Sequence, residues 1–321
     1  MLKILHEIIS DDRKRNQKYA AFLRLCSEGK ATLNDIVRLG EKLMRSARLH
    51  HHFFGDYSLL STAASLANYV VAQPNTHPLT VSEAIDIFKL FERRIVERIP
   101  VPYITSEAEY CGRPFFVNTH VLVPRSIMST RFEDFMRDIF WENYRVLDLC
   151  TGSGCIGITL ALMNPKITVD LADISADALA VAQINIQKHA VGDRVKCIQS
   201  NLFEQVTEKY DLIITNPPYV SRQEYQSAPA EFKNEPKIAL ESGKDGLDIL
   251  HQILRQSASY LNSNGLLIAE VGYTAAKRLK KQYTSIPFQW FKYRRPNGKE
   301  SWFGMDGVFL CHQSDLPAIL K

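Results

Sequence analysis

Apolar residues in the N-terminal third recur at helical spacing. In LNDIVRLGEKLMRSA, Ile36, Leu39, Leu43 and Ala47 share one face. In TVSEAIDIFKLFERRIVERIP, Thr80 and Glu83 form a capping-box pattern, and Ile85, Phe88, Phe91 and Ile95 line one face. Pro100 is expected to stop that helix. The stretch VVAQPNTHP, 70–78, reads as a linker between two helical groups. The pattern predicts a helical domain over 1–100. In RPFFVNTHVLVPR, two β-type runs flank Asn118-Thr119-His120, which predicts a hairpin in a connecting segment, 101–126.

From Tyr144 onward the pattern alternates. YRVLDL, TVDLAD, VKCIQS, DLIIT and GLLIAEV are apolar runs of strand length. Helical segments are expected near 154–163, 176–189 and 247–262. This alternation predicts an α/β domain over 127–321 with a buried, mostly parallel sheet. FQWFKY (288–293) and DGVFLC (306–311) lie too close together for a helical crossover, so they predict a terminal antiparallel hairpin.

Composition narrows the class without choosing a chemistry. The chain has 321 residues, 45% hydrophobic and 23% charged, with a formal charge of +4. That charge is too weak to indicate a nucleic-acid partner. Cys26, Cys111, Cys150, Cys155, Cys197 and Cys311 form no CxxC pair, which suits reduced thiols in a cytoplasmic protein. The N-terminal apolar run is too short for a membrane span and has no small-residue cleavage site. No membrane association is expected.

Gly152, Gly154 and Gly157 spell GxGxxG between a predicted strand and a predicted helix. Such a turn lets backbone approach a ligand. Asp173 closes the next strand, where an acid can bind ribose hydroxyls. The spelling fits a dinucleotide enzyme. The stretch Asp148-Leu-Cys-Thr-Gly152-Ser-Gly154 also resembles the D-x-x-x-G-x-G loop of class I methyltransferases, which bind S-adenosylmethionine. The loop alone leaves both readings open.

A second motif separates them. DLIIT runs into Asn216-Pro217-Pro218-Tyr219. Two prolines make a rigid turn poor in donors, while the carbonyls and the Asn216 side chain accept hydrogen bonds. A planar NH2 group would suit these acceptors, with its plane against the Tyr219 ring.

With NPPY after the fourth strand, the chain resembles the methyltransferases of planar or amide nitrogens. ERIPVPYITSEAEYCGRPFFVNTHVLVPRS (97–126), LDLCTGSGCIGI, ITNPPYV, NEPKIALESGKDGLDIL (234–250), LLIAEVG and DGVF resemble the protein glutamine methyltransferases among them. The resemblance spans about residues 90 to 311. The spellings DLCTGSGC and VLVPRS favour the branch acting on ribosomal protein L-three over the release-factor branch. A nucleic-acid adenine methyltransferase is a further alternative, which would want a stronger basic face.

The resemblance implies a class I, Rossmann-like seven-stranded sheet with a terminal antiparallel hairpin, behind a small helical domain that recognises substrate. It implies methyl transfer from S-adenosylmethionine to a glutamine side-chain nitrogen. Asp148, Cys150, Thr151, Gly152, Ser153 and Gly154 would form the cofactor loop, Asp173 would bind the ribose, and Asn201 would lie near adenine. Asn216 and the Pro217 carbonyl would accept the amide N–H bonds, Pro218 would hold the turn, and Tyr219 would pack on the amide. Asn216 would also border the cofactor.

The sequence departs from the family at IMSTRF after Ser126, at Asn201 in SNLF, and in the longer, basic FKYRRPNGKESWFGMDG. Other features carry less. His50-His51-His52 point in different directions on a helix and predict no metal site. Cys150 and Cys155 have no evident base partner and read as packing residues. Glu270 ends an apolar strand and is open to either a functional role or a capping or solvent role. Lys292, Arg294, Arg295 and Lys299 read first as a solvated loop, with a weak ribosomal RNA contact as the alternative.

Overall fold

The computed structural model describes residues 12–49, 58–71, 77–132, 143–291, 293–294, 300–301 and 307–320. The histidine run 50–52 and most of the linker lie outside these residues. So do the side chains of Lys292, Arg294, Arg295 and Lys299.

The chain divides into two compact units. One comprises Met1–Glu107 with Pro229–Asn234, and the other Ala108–Ala228 with Glu235–Lys321. The first contains α1 (Arg13–Ser27), α2 (Leu33–Ser46), α3 (Leu59–Val70), α4 (Val81–Ile95) and α5 (Val101–Thr105). Thr80 and Glu83 form the expected capping box at the start of α4. Thr32 with Asp35 and Ser58 with Ser61 do the same for α2 and α3. Tyr19 stacks on Phe88 with ring centroids 4.1 Å apart and donates to Glu92 at 2.7 Å. Helical structure resumes beyond Pro100, which becomes the N-cap of α5. The helical unit therefore runs past residue 100.

The 229–234 segment joins the helical unit through charge. Glu231, 1% exposed, lies 3.6 Å from Arg94, which is fully buried, and 3.5 Å from Arg98. Asn234 donates to the carbonyls of Glu97 and Arg98.

The second unit opens with a hairpin of β1 (Glu107–Tyr110) and β2 (Arg113–Phe116). The turn is Cys111-Gly112, with φ of 52° and 69°, and not Asn118-His120 as the pattern suggested. The second expected run is not a strand. Val123 N–H donates to the Glu235 carboxylate, and Pro124 follows with no N–H to give.

The main sheet contains β3 (Arg145–Leu149), β4 (Thr168–Asp173), β5 (Val195–Gln199), β6 (Tyr210–Thr215), β7 (Leu261–Glu270), β8 (Gln289–Phe291) and β11 (Val308–His312). Its order is β5-β4-β3-β6-β7-β11-β8. The pairs β3–β4, β4–β5, β3–β6 and β6–β7 are parallel, while β11 is antiparallel to β7 and β8. The expected seven strands and terminal hairpin are both present. A two-residue ladder, β9 (Tyr293–Arg294) with β10 (Glu300–Ser301), interrupts the connection from β8 to β11.

Strand alternation assigns the two faces. Val146, Val169, Leu212 and Ile268 enter one buried cluster, and Leu147, Ala172, Ile213 and Leu267 enter another. The helices are α6 (Cys155–Met163), α7 (Ala176–Lys188), α8 (Arg222–Ser227), α9 (Asp248–Tyr260) and α10 (Tyr273–Gln282). Residues 155–161 of α6 are all buried, consistent with its apolar composition all round. Among the described residues no helix is long and apolar enough to cross a membrane.

Candidate active site

The glycine loop leaves β3 and enters α6 at the C-terminal edge of the parallel strands, where such sheets hold ligands. A pocket there is lined by Cys150–Ser153, Asp173, Asn201, Asn216 and Pro218, together with residues of the 120–126 and 238–241 segments. Most expected site residues therefore converge. Asp148, Gly154, Pro217 and Tyr219 are not in that wall.

Asp148 works from below the loop. Its carboxylate is buried and accepts from the Thr151 hydroxyl at 2.6 Å and from Gly157 N–H at 2.9 Å. Burial pushes its carboxyl up to about 7, against the two hydrogen bonds that favour the charged form. These two bonds hold the turn from beneath the loop. Gly154 needs its left-handed φ of 80°. Gly157 is a packing residue: a Cβ there would lie 2.5 Å from Leu171 Cδ2 and 2.9 Å from Val169 Cγ1.

Asp173 has two tasks. One oxygen accepts from Gly152 N–H at 2.9 Å and the other from Ser175 N–H at 3.0 Å. Burial raises its pKa while these backbone donors oppose the shift. Its side chain also faces the pocket. Asn201 lines the pocket with its amide nitrogen donating to Glu204 at 2.7 Å.

This hydrogen bonding bears on the two cofactor readings. A pyrophosphate would need free N–H groups at the loop and helix start. Here Gly152 N–H is given to Asp173, and Gly157 N–H, in the first turn of α6, to Asp148. The helix terminus already faces a carboxyl group. The pocket's own Arg125 is held by Glu235 through contacts of 2.6 and 2.7 Å. Asp173, by contrast, takes backbone donors and no ion pair among the described contacts, leaving an acidic wall. That suits a cationic ligand with ribose hydroxyls better than an anionic phosphate.

Asn216 follows Thr215, which pairs with Ala269 in the β6–β7 ladder. Asn216 Oδ1 is buried and has no hydrogen-bond partner. An unsatisfied buried acceptor costs free energy on the order of 1–3 kcal/mol unless a ligand supplies the donor. Pro217 is buried behind it. Tyr219 turns away from the pocket: its ring lies against Gly272, where a Cβ would come within 2.8 Å of Tyr219 Cδ2. The ring is thereby supported by the Gly272 backbone.

Burial pushes the Cys150 and Cys155 thiols far above their ordinary range, which disfavours the thiolate form. Among the described residues no cluster could hold a metal ion. One support, Asn185, escaped the sequence reading, and Glu270 was left open by it. Asn185 on α7 accepts from Phe116 N–H at 2.7 Å and donates to the carbonyls of Phe116 and Ser153, joining hairpin to loop. Glu270 is buried, not solvent-facing, and accepts from the Ser126 hydroxyl at 2.6 Å. An apolar-period reading carries no signal for Asn185, whereas Glu270 stood out as the acid that ends an apolar strand.

A family model for the methyltransferase small domain matches residues 132–246. Over 243 residues the chain is 40% identical to the ribosomal protein uL3 glutamine methyltransferase of Francisella tularensis subsp. tularensis, covering 74% of each chain. Over 277 residues it is 35% identical to the protein of the same name from Neisseria meningitidis serogroup B, covering 81% of this chain and 89% of the relative. Kinship over this length, joined to a pocket that suits a sulfonium cofactor, establishes the chain as a member of the ribosomal protein uL3 glutamine methyltransferase family, on the class I S-adenosylmethionine-dependent fold.

Proposed function

We propose that this chain methylates the side-chain nitrogen of a glutamine in ribosomal protein uL3, the L-three protein, using S-adenosylmethionine. The observation that carries the reading is the buried, unpartnered Asn216 Oδ1 at the pocket wall. The names of the two relatives support the choice of uL3.

Cys150 to Gly154 would hold the cofactor, Asp173 would accept from its ribose hydroxyls, and Asn201 would face its base. When bound, S-adenosylmethionine supplies an electrophilic methyl on a positively charged sulfur and leaves as a neutral thioether. The protein's part is to make a poor nucleophile usable. An amide nitrogen shares its lone pair with the carbonyl, and orientation must offset that loss. Asn216 Oδ1 and the Pro217 carbonyl would accept the two N–H bonds and fix the nitrogen. The same acceptors favour the positive charge that grows on it, and the surplus proton then passes to solvent. Neutral acceptors suffice, so the geometry needs no activated thiol.

The test is Asn216→Ala in a tritiated-methyl transfer assay with purified uL3. Losing one such acceptor should lower kcat by roughly 100-fold or more. Undiminished transfer would remove Asn216 from the reaction.

A further inference from the structure

Glu270 closes β7 one residue beyond Ala269, and Asn216 immediately follows Thr215, the last residue of β6 and the partner of Ala269. The two side chains therefore leave the ends of neighbouring strands. Glu270 is 4% exposed. One oxygen accepts from the Ser126 hydroxyl at 2.6 Å and from Ile127 N–H at 3.1 Å. The other accepts from the Tyr219 hydroxyl at 3.4 Å, a long hydrogen bond. Ser126 lines the pocket and Tyr219 belongs to the Asn216 turn.

Tyr219 is enclosed on two further sides. Its ring fills the space left by the absent Cβ of Gly272, and its carbonyl fills that of Gly246, where a Cβ would come within 2.4 Å of the oxygen. The carboxylate thus joins the segment before the sheet to the turn that presents Asn216.

We propose that Glu270 is a positioning residue for methyl transfer, binding Ser126 and Tyr219 together so that Asn216 keeps one place at the pocket wall. The proposal rests on the methyl-transfer reading above and goes beyond it by assigning a buried acid that does not touch substrate. Burial pushes this carboxyl up to about 7, with the Ser126 and Ile127 donors opposing the shift. Tyr110 from β1, Tyr219, and the Arg125–Glu235 pair acting on Tyr219 are the other titratable groups around the cluster. Burial raises both tyrosines, so they stay neutral where Glu270 titrates. A protonated Glu270 must donate one hydrogen and gives up an acceptor that the cluster uses.

The experiment compares wild type and Glu270→Gln, with uL3 and S-adenosylmethionine, across pH 6 to 8 (about one unit either side of the titration). The glutamine keeps the shape but loses one acceptor and the titration. Expected are a kcat roughly tenfold to 100-fold lower, a cofactor Kd unchanged by calorimetry, and loss of a wild-type rise in kcat through about pH 7. Wild-type kcat and pH profile in the variant overturn the proposal. So does a fall in kcat matched by an equal fall in cofactor affinity. If Glu270→Gln does not fold, Tyr219→Phe tests the same link, since the ring stays against Gly272 and only the hydroxyl goes. Its kcat should fall in the same direction, and an unchanged kcat overturns the proposal. A wild type that transfers nothing to uL3 overturns the methyl-transfer reading together with this one. An active wild type with an unaltered variant overturns this one alone.

Discussion

Asp173 shows how one carboxylate can be asked to do two things. It takes the Gly152 and Ser175 N–H groups and still faces the pocket. Asp173→Ala should therefore weaken S-adenosylmethionine binding by roughly tenfold to 100-fold, as expected for a charged hydrogen bond. Calorimetry reads the affinity directly, and an unchanged Kd would rule out the ribose role. The acid at the strand end was legible from spacing alone. Its hold on Gly152 was not, because that N–H points at Asp173 only once the loop has turned. Tyr219 is the converse case. The residue stood out in the sequence, but its ring position depends on Gly272, more than fifty residues along the chain.

At the scale of elements, the βα turn is the best-defined part of the site. Gly157 sits where α6 meets the sheet, with the Leu171 and Val169 side chains filling the place of a Cβ. Gly157→Ala should cost about 1–3 kcal/mol of stability through overpacking, visible as a lower denaturant midpoint at unchanged slope. A variant as stable as the wild type would mean the strand–helix contact can relax. The strands from β3 to β7 were legible because each is a short apolar run bounded by polar residues. The β1–β2 hairpin was misplaced for a physical reason. Its turn is Cys111-Gly112, and a cysteine at positive φ carries none of the Asn-Gly or Asp-Gly signal that marks such turns. The run 121–124 looked like a strand, yet Val121 N–H goes to the Asn118 carbonyl, Val123 N–H to Glu235, and Pro124 has none to give.

Across the molecule, buried charge is placed with a cost. In the helical unit, Glu231 faces the fully buried Arg94. Glu231→Ala should destabilise by about 3–5 kcal/mol, because it strands a buried guanidinium. Thermal unfolding measures this, and a loss below 1 kcal/mol would show the pair to be dispensable (the level of a surface pair). In the sheet unit, Asp148 has its carboxyl raised to about 7. Between its unfolded value near 4 and about 7, the folded state holds the extra proton. Stability from this group is therefore lost as pH rises across that window. Asp148→Asn should flatten that part of the pH–stability curve relative to wild type, and parallel curves would contradict the assignment. The change of period near residue 144 marked the start of the parallel strands, the first of which begins at Arg145. The return of 229–234 to the helical unit was not legible, since it depends on one acid meeting arginines over a hundred residues away.

The account stands on amide methylation of uL3. Its most direct test is mass spectrometry of purified uL3 after incubation with this protein and S-adenosylmethionine, with peptide fragmentation to locate the change. The account predicts one added methyl group, on a glutamine side chain, absent when Asn216→Ala replaces the wild type. Methylation of another residue type, or an unmodified uL3 beside active enzyme on a different substrate, would contradict it.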